Sequence, residues 1–133
     1  MNSKAILSQA EVSQILAASR SEAQVNQWPV TIVVVDDGGH PLALERLDGA
    51  SPISAYIAIE KARTSALGRR ESKGYEEMVN GGRTAFLSAP LLTSLEGGVP
   101  IIVDGQVIGA VGVSGVKAEQ DAQVAKAGAQ CLK

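Results

Sequence analysis

The sequence predicts one three-layer α+β domain, in which helices cover both faces of an antiparallel sheet. Two strands rich in β-branched residues are joined by Asp104-Gly105, a dipeptide that supplies the positive φ angles of a tight hairpin turn. Residues 30–35 are apolar on both faces, which is typical of a central strand covered on both sides. Short turns join successive strands and the helices are grouped between them, so we expect five antiparallel strands.

Length and composition limit the classes of protein that this chain can belong to. Residues 1–133 fit a single domain, whose core must come from 45% hydrophobic but only 3% aromatic residues. The formal net charge of −2 argues against nucleic acid as a partner, and no apolar run reaches the ~20 residues of a membrane span. The single cysteine, Cys131, excludes an internal disulfide. The N-terminus lacks the layout of a signal peptide, so we expect a cytoplasmic protein.

The first half of the chain is predicted to contain one helix and two strands. Ser8 and Glu11 form the pattern of a capping box at the start of the helix. The helix is expected to end before Trp28-Pro29, because the residue before a proline avoids helical angles. Residues 42–47 alternate between apolar and polar side chains, which predicts an antiparallel strand near the edge of the sheet.

The middle of the chain is predicted to be mainly helical. Ser51 and Pro52 suit the cap and first position of a helix that runs to about Leu67 and stops at Gly68. A second, short helix is predicted over residues 74–79, because Asn80-Gly81-Gly82 breaks the pattern that follows. Residues 91–95 are the candidate for a further short strand.

The last part of the chain is predicted to be a hairpin over residues 97–115 followed by a helix. Alanines recur at helical spacing from residue 118 to residue 129, which favours a helix that lies close against its neighbour. Glycine inside a strand usually marks such a close approach. We therefore expect this helix to pack against Gly109 and Gly112.

The glycines at the end of the hairpin do not match a phosphate-binding motif. Gly109, Gly112 and Gly115 lack the first short spacing of the dinucleotide fingerprint, and no Gly-Lys-Ser/Thr of a Walker loop follows. Glu119 and Asp121 fall in the first turn of the next helix, where they repel a phosphate. Close packing is the favoured interpretation.

Three polar residues are candidates for chemistry, each with a structural alternative. His40, the only histidine, is either an exposed turn residue or a ligand of a metal or of haem iron, and composition leaves a Ser-His-Asp triad open. Lys61, on a mostly apolar helix face, either reaches the surface or is partly desolvated and acts as an amine or an ammonium that pairs with a ligand's acid group. Arg46 suits a carboxylate, either of the protein or of a ligand.

Several motifs together resemble the GlcG/HbpS-type family. They are Val35-Asp36-x-Gly38-Gly39-His40-x-Leu42, Arg46-Leu-Asp48-Gly49-Ala50, Lys61-Ala62-x-Thr64, Gly97-Gly98-Val99-Pro100-Ile101, the glycine-rich residues 105–115 and Glu119-Gln120-Asp121. The resemblance covers residues 8–133. This family is described as haem-binding or haem-degrading and also occurs as the C-terminal domain of PduO-type cobalamin adenosyltransferases. It implies a profilin-like, five-stranded sheet flanked by helices, and homo-oligomers built from dimers.

The resemblance implies a haem-binding accessory or sensor protein, linked to a catabolic operon. His40 would then bind the haem iron, which would be the only metal. The other residues expected to contact the cofactor are Arg46, Lys61, Thr64, Gly98 and Glu119. The alternative is an enzyme or detoxifying protein that acts on a reactive acidic catabolite, such as a semialdehyde from aromatic degradation, with Lys61 and His40 as catalytic residues. A non-catalytic structural oligomer is the third hypothesis.

Overall fold

The backbone forms four α-helices and an antiparallel sheet, which confirms the predicted α+β class. The computed structural model describes residues 1–132. In chain order the elements are α1 (Gln9–Val25), β1 (Thr31–Asp36), β2 (Pro41–Arg46), α2 (Pro52–Gly68), α3 (Lys73–Asn80), a 3₁₀ helix (Thr84–Ser88), β3 (Gly98–Val103), β4 (Gln106–Ser114) and α4 (Ala118–Ala129).

The sheet has the strand order β2-β1-β4-β3, so β1 and β4 are central and β2 is an edge strand as predicted. Val33 of β1 lies opposite Leu44 of β2 and opposite Gly112 of β4. The β3–β4 hairpin turns at Asp104 and Gly105, whose φ angles of 51° and 74° confirm the tight turn expected from this dipeptide.

Helices cover both faces of this sheet. On one face, alanines of α2 pack on alternate residues of β1 and β4. The larger cluster lies on the other face of the sheet. It is formed by the remaining residues of the same strands, including the valines of β4, together with residues of α4 and α1. The apolar core is therefore divided by the sheet, as the two apolar faces of residues 30–35 predict; the closer likeness to profilin stays a prediction.

The expected fifth strand is wrong, since the sheet contains four strands within residues 1–132. Residues 91–95 have no strand structure. Leu91 has a φ of 57°, and the Thr93 amide donates to the Thr64 hydroxyl at 2.8 Å instead of to a neighbouring strand. The leucines of this segment thus cover the end of α2 without joining the sheet.

The expected packing of α4 against Gly109 and Gly112 is also wrong. A Cβ atom at Gly112 would overlap the carbonyl oxygen of Ala58 and lie 2.5 Å from the Ala62 amide nitrogen, so Gly112 faces α2. The alternation of β4 turns its valines, and not this glycine, towards α4. The close approach of α4 is instead to α1, where a Cβ at Gly128 would lie 2.9 Å from the Ile15 carbonyl oxygen.

The helix ends agree with the sequence except at α2. Ser8 and Glu11 form the capping box, with the Ser8 amide donating to the Glu11 carboxylate at 2.7 Å, and α1 ends before Trp28-Pro29. Ser51 occupies the cap position of α2, but its side chain makes no capping bond. Gly68 belongs to α2, and the left-handed residue that ends the helix is Arg69, with a φ of 58°.

Candidate functional site

The turn between β1 and β2 holds His40 against Asp36. Asp36 ends β1, and its Oδ1 atom accepts hydrogen bonds from the amides of Gly38 at 2.9 Å and His40 at 3.0 Å. The same atom lies 3.0 Å from Nδ1 of the His40 ring. Gly39, with a φ of 79°, allows the chain to reverse within this short turn.

The contact with Asp36 determines which ring nitrogen of His40 is free. An ionised carboxylate can only accept, so Nδ1 carries the proton and Nε2 of the neutral ring keeps its lone pair. The His40 side chain is 79% exposed. Burial opposes ionisation of Asp36, but the amides of His40 and Gly38 and the His40 ring outweigh it and lower the pKa of this carboxyl. A histidine held by a carboxylate in this way is the usual arrangement of a metal-binding imidazole.

Gly38 is required beneath the imidazole. A Cβ atom there would lie 2.8 Å from Cε1 and 3.0 Å from Nδ1 of His40. The sequence pattern Asp36-x-Gly38-Gly39-His40 thus contains the whole pair, and the spacing of four between acid and histidine was the signal for it.

A cavity of about 390 Å³ lies beside Asp36, and the His40 ring is not part of its lining. Three charged residues line it, namely Lys4, Asp36 and Asp37. The apolar part of the lining comes from the N-terminus, β2 and β4, and consists of Ala5, Ile6, Leu7, Leu42 and Ile108. Lys4 lies 2.9 Å from the Asp37 carboxylate, and this hydrogen bond lowers the pKa of Asp37. Sequence reasoning missed the N-terminal residues, because no local pattern connects residues 4–7 to the turn of His40.

Lys61 lies in a second, separate cluster and does not reach the surface. The side chain is 4% exposed, and Nζ donates to the Val113 carbonyl at 3.0 Å and to Asp121 Oδ2 at 2.9 Å. Burial raises the pKa of Asp121, whereas the Lys61 ammonium and the amides of Val116 and Gly115 oppose that increase. The Lys61 ammonium is therefore held between β4 and the start of α4.

Gly97 and Gly98 pack against Lys61, and Thr64 follows Lys61 by one helical turn on α2. A Cβ at the preceding Gly97 would lie 2.8 Å from Lys61 Nζ, and the Gly98 amide donates to the Ser72 hydroxyl at 2.8 Å. Thr64 donates to the Glu60 carbonyl at 2.8 Å and accepts from the Thr93 amide. The polar atoms of Lys61, Thr64 and Gly98 are thus engaged inside the chain, and their expected contact with a cofactor stays a prediction.

Arg46 and Glu119 lie elsewhere. Arg46 ends β2 opposite Thr31, whereas His40 precedes the start of β2, so six positions of extended chain, ~20 Å, separate the two. Arg46 lines a different cavity, of about 690 Å³, next to Trp28 and the bidentate Arg20–Glu45 ion pair. Glu119 is exposed in the first turn of α4. One chain therefore does not gather all of the expected cofactor-binding residues.

Residues 1–132 contain neither a cluster of potential metal ligands nor a helix that could cross a membrane. No three side chains among histidine, cysteine, aspartate and glutamate are grouped as a metal site in this part of the chain. No helix within the same residues has the length and hydrophobicity needed to cross a membrane.

Comparison with known proteins places these features in a family. Residues 7–130 match the model of the family described as haem degrading protein HbpS-like. Protein GlcG of Escherichia coli K12 is 70% identical over 114 residues, which cover 86% of this chain and 85% of that protein. The crystal structure of a PduOC:heme complex has a TM-score of 0.86 at 27% identity and covers 96% of both chains. A crystal structure of HbpS has a TM-score of 0.89 at 27% identity, covering 100% of this chain and 94% of the other.

The match spans the His40 turn, the Lys61–Asp121 pair and the glycine-rich hairpin alike. The chain therefore belongs to the family described as haem degrading protein, HbpS-like.

Proposed function

We propose that this protein binds haem as an accessory or sensor protein, with His40 as the iron ligand. The observation that carries the proposal is the His40–Asp36 pair, which leaves Nε2 exposed and fixes the ring by a 3.0 Å contact to a carboxylate. Neutral imidazole is a common axial ligand of haem iron. The family description and the haem complex of the structurally similar PduOC support the same ligand.

The cavity beside Asp36, the residue that holds His40, has a lining that suits an apolar ring with acidic substituents. Ile6, Leu42 and Ile108 offer aliphatic surface next to Asp36, and Lys4 offers a cation for a carboxylate. Bound haem would supply a redox-active iron at this position. In this chain, Asp36 accepts the hydrogen bond from the protonated Nδ1 of His40. This contact leaves Nε2 of the ring free to bind the iron. A cytoplasmic location, service to a catabolic pathway and assembly into homo-oligomers belong to the same proposal.

A haemin titration followed by absorbance tests this function. We expect the protein to shift the Soret band of haemin, and His40→Ala to abolish the shift because the iron loses its ligand. Asp36→Ala should weaken haemin binding about 10- to 100-fold, as the loss of a carboxylate behind a ligand histidine typically does. Glu77→Gln, on the exposed face of α3, removes the same charge far from the turn and should have no effect. An unchanged shift with His40→Ala would contradict the proposal.

A further inference from the structure

Three basic side chains contact the turn between β1 and β2, and two of them are paired with carboxylates. Lys4 lies 2.9 Å from Oδ2 of Asp37, and Arg63 lies 3.0 Å from Oε1 of Glu60. The third, Arg69, belongs to none of the ion pairs found within residues 1–132. Its guanidinium is therefore the one basic group of the three that has no bonded carboxylate.

The last turns of α2 lie against the turn that carries His40. A Cβ atom at Gly39 would lie 2.8 Å from Cγ of Arg63, so the helix packs directly on the residue that precedes the histidine. At the end of the helix, Nη1 of Arg69 donates to the Asp37 carbonyl oxygen at 2.6 Å. Arg69 is thus bonded to the same turn that positions the imidazole.

Only one nitrogen of the Arg69 guanidinium is engaged. Nη1 donates to the carbonyl oxygens of Asp37 and of Ala66, the latter at 3.0 Å. An arginine has five N–H donors, so Nε and Nη2 keep three, and these have no acceptor within residues 1–132. Nε and Nη2 form an edge that can bind a carboxylate through two parallel hydrogen bonds. Because Arg69 is exposed, this edge is accessible to a ligand.

The backbone conformation of Arg69 is unusual for an arginine. It ends α2 with a φ of 58°, in the left-handed region, where glycine is the usual residue because it has no Cβ. The chain has a glycine one position earlier, at Gly68, where the backbone is still helical. A side chain kept at a strained backbone position points to a function of that side chain.

We propose that Arg69 binds a carboxylate of the ligand held at His40, which for haem is a propionate. This assignment rests on the proposed haem function and names the residue that recognises the acidic group. Haem carries its propionates at the edge of the ring, away from the iron, so the iron ligand and the propionate partner must be separate residues of one neighbourhood. Asp37, which accepts from Arg69, also lines the cavity of about 390 Å³. Arg69 thus takes the role that the sequence motifs suggested for Arg46.

Titrations with haemin and with haemin dimethyl ester test this assignment. The ester keeps the iron and the ring, but neutral groups replace its two carboxylates. Arg69→Gln should weaken haemin binding about tenfold or more, the effect of losing hydrogen bonds between charged groups, and leave binding of the ester unchanged. Arg69→Lys keeps the charge but loses the two-bonded edge, so its affinity for haemin should lie between those of wild type and Arg69→Gln.

Arg83→Gln is the matched control. Arg83 is also absent from the ion pairs within residues 1–132, but its guanidinium lies over the ring of Phe86, 5.0 Å from the centre. This variant should bind haemin and the ester as wild type does. The Soret maximum of the bound ester reports the ligation by His40, and Arg69→Gln should leave it at the wild-type wavelength because the turn stays intact.

The comparison of the two ligands separates recognition of a carboxylate from support of the turn. Equal weakening of haemin and ester binding by Arg69→Gln would overturn the assignment, because a residue that only supports the turn affects both ligands alike. Haemin affinity that is unchanged in Arg69→Gln, or lowered equally by Arg83→Gln, would overturn it as well. Wild type that shifts the Soret band of neither ligand would instead refute the proposed haem function and the role of Arg69 with it.

Discussion

At the scale of single residues, two aspartates that each have two amide donors and one side-chain donor show how the depth of burial decides the direction of a carboxyl pKa shift. Asp36 is partly buried, yet two amides and an imidazole lower its pKa. Asp121 is more deeply buried, and there burial outweighs Lys61 and raises the pKa. Asp36 therefore keeps its charge at neutral pH and can hold the Nδ1 proton of His40.

The lowered pKa of Asp36 predicts a specific loss of stability in acid. A carboxyl whose pKa is lower in the folded than in the unfolded state contributes stability above its unfolded pKa of about 4, and this contribution disappears as the pH falls through the folded pKa. Asp36→Asn should therefore lower Tm at pH 7 and make Tm less dependent on pH below about 4. Thermal melts from pH 2 to 7 measure this. If Asp36→Asn and Glu77→Gln change the profile equally, the hydrogen bonds in the turn do not lower the pKa of Asp36.

The Lys61–Asp121 pair predicts a non-additive effect on stability. Lys61→Met leaves a buried carboxylate without its partner and should cost about 3 kcal/mol in the free energy of unfolding. Adding Asp121→Asn removes that charge and should recover part of the loss, since an amide oxygen can still accept from Val116.

Urea unfolding measures each variant of this cycle. The control is Lys126→Met, which removes a half-exposed lysine 3.7 Å from Glu71 and should cost less than about 0.5 kcal/mol. Equal losses for Lys61→Met and Lys126→Met would show that the buried pair does not contribute to stability.

Local sequence predicts residues of this kind only when their partners are close in the chain. The Asp36–His40 pair is contained in one turn, so a single local motif holds both partners, although the contact between them was not predicted. The partner of Lys61 is 60 positions away, and nothing in either segment connects them before the fold is known. The catalytic role suggested for Lys61 stays a prediction, and it now requires the ammonium to leave Asp121.

At the scale of elements, the glycine of β4 determines how closely α2 approaches the sheet. The Cβ position of Gly112 is filled by the backbone of Ala58 and Ala62, which cannot move without moving the helix. The sequence correctly indicated a close approach at this glycine, but assigned it to the wrong helix. Both α2 and α4 are rich in alanine, and only the face on which residue 112 lies distinguishes them.

A methyl group at Gly112 should therefore force α2 away from β4. Gly112→Ala should lower the free energy of unfolding by about 3 kcal/mol, at the upper end of overpacking effects because the contacts are with backbone atoms. Gly81→Ala is the matched control, with a φ of −81° and its nearest contact at 3.2 Å. Chemical denaturation of the two variants gives the comparison, and a Gly112→Ala protein as stable as Gly81→Ala would contradict this packing.

The missing fifth strand has a different origin. Residues 91–95 have the composition of a strand, but the turn at Leu91 and the Thr93–Thr64 hydrogen bond direct them along α2. A short apolar run can pack against a helix as well as form a strand of a sheet, so composition alone does not distinguish the two structures.

At the scale of the whole molecule, the two edges of the sheet differ. β2 follows the His40 turn, and its pairing with β1 shifts register between Ala43 and Pro41, whereas β3 is joined to β4 by a tight hairpin. Sequence patterns predicted which strands are central, because burial on two faces leaves a continuous apolar run. They also placed His40 before, and Arg46 near the end of, one predicted strand, but they could not show that Arg46 borders a separate cavity next to Trp28, since that depends on how α1 packs.

The strand order β2-β1-β4-β3 also sets the order of folding. β1 pairs with β2 and β3 pairs with β4 through short connections, but the ladder that joins β1 to β4 links Thr31 with Ser114 across most of the chain. Contacts so distant in sequence form late and slow the folding reaction. On the ribosome, the valine-rich β1 must therefore wait with one side unpaired until β4 is synthesised, so the nascent chain is most prone to aggregate during that interval.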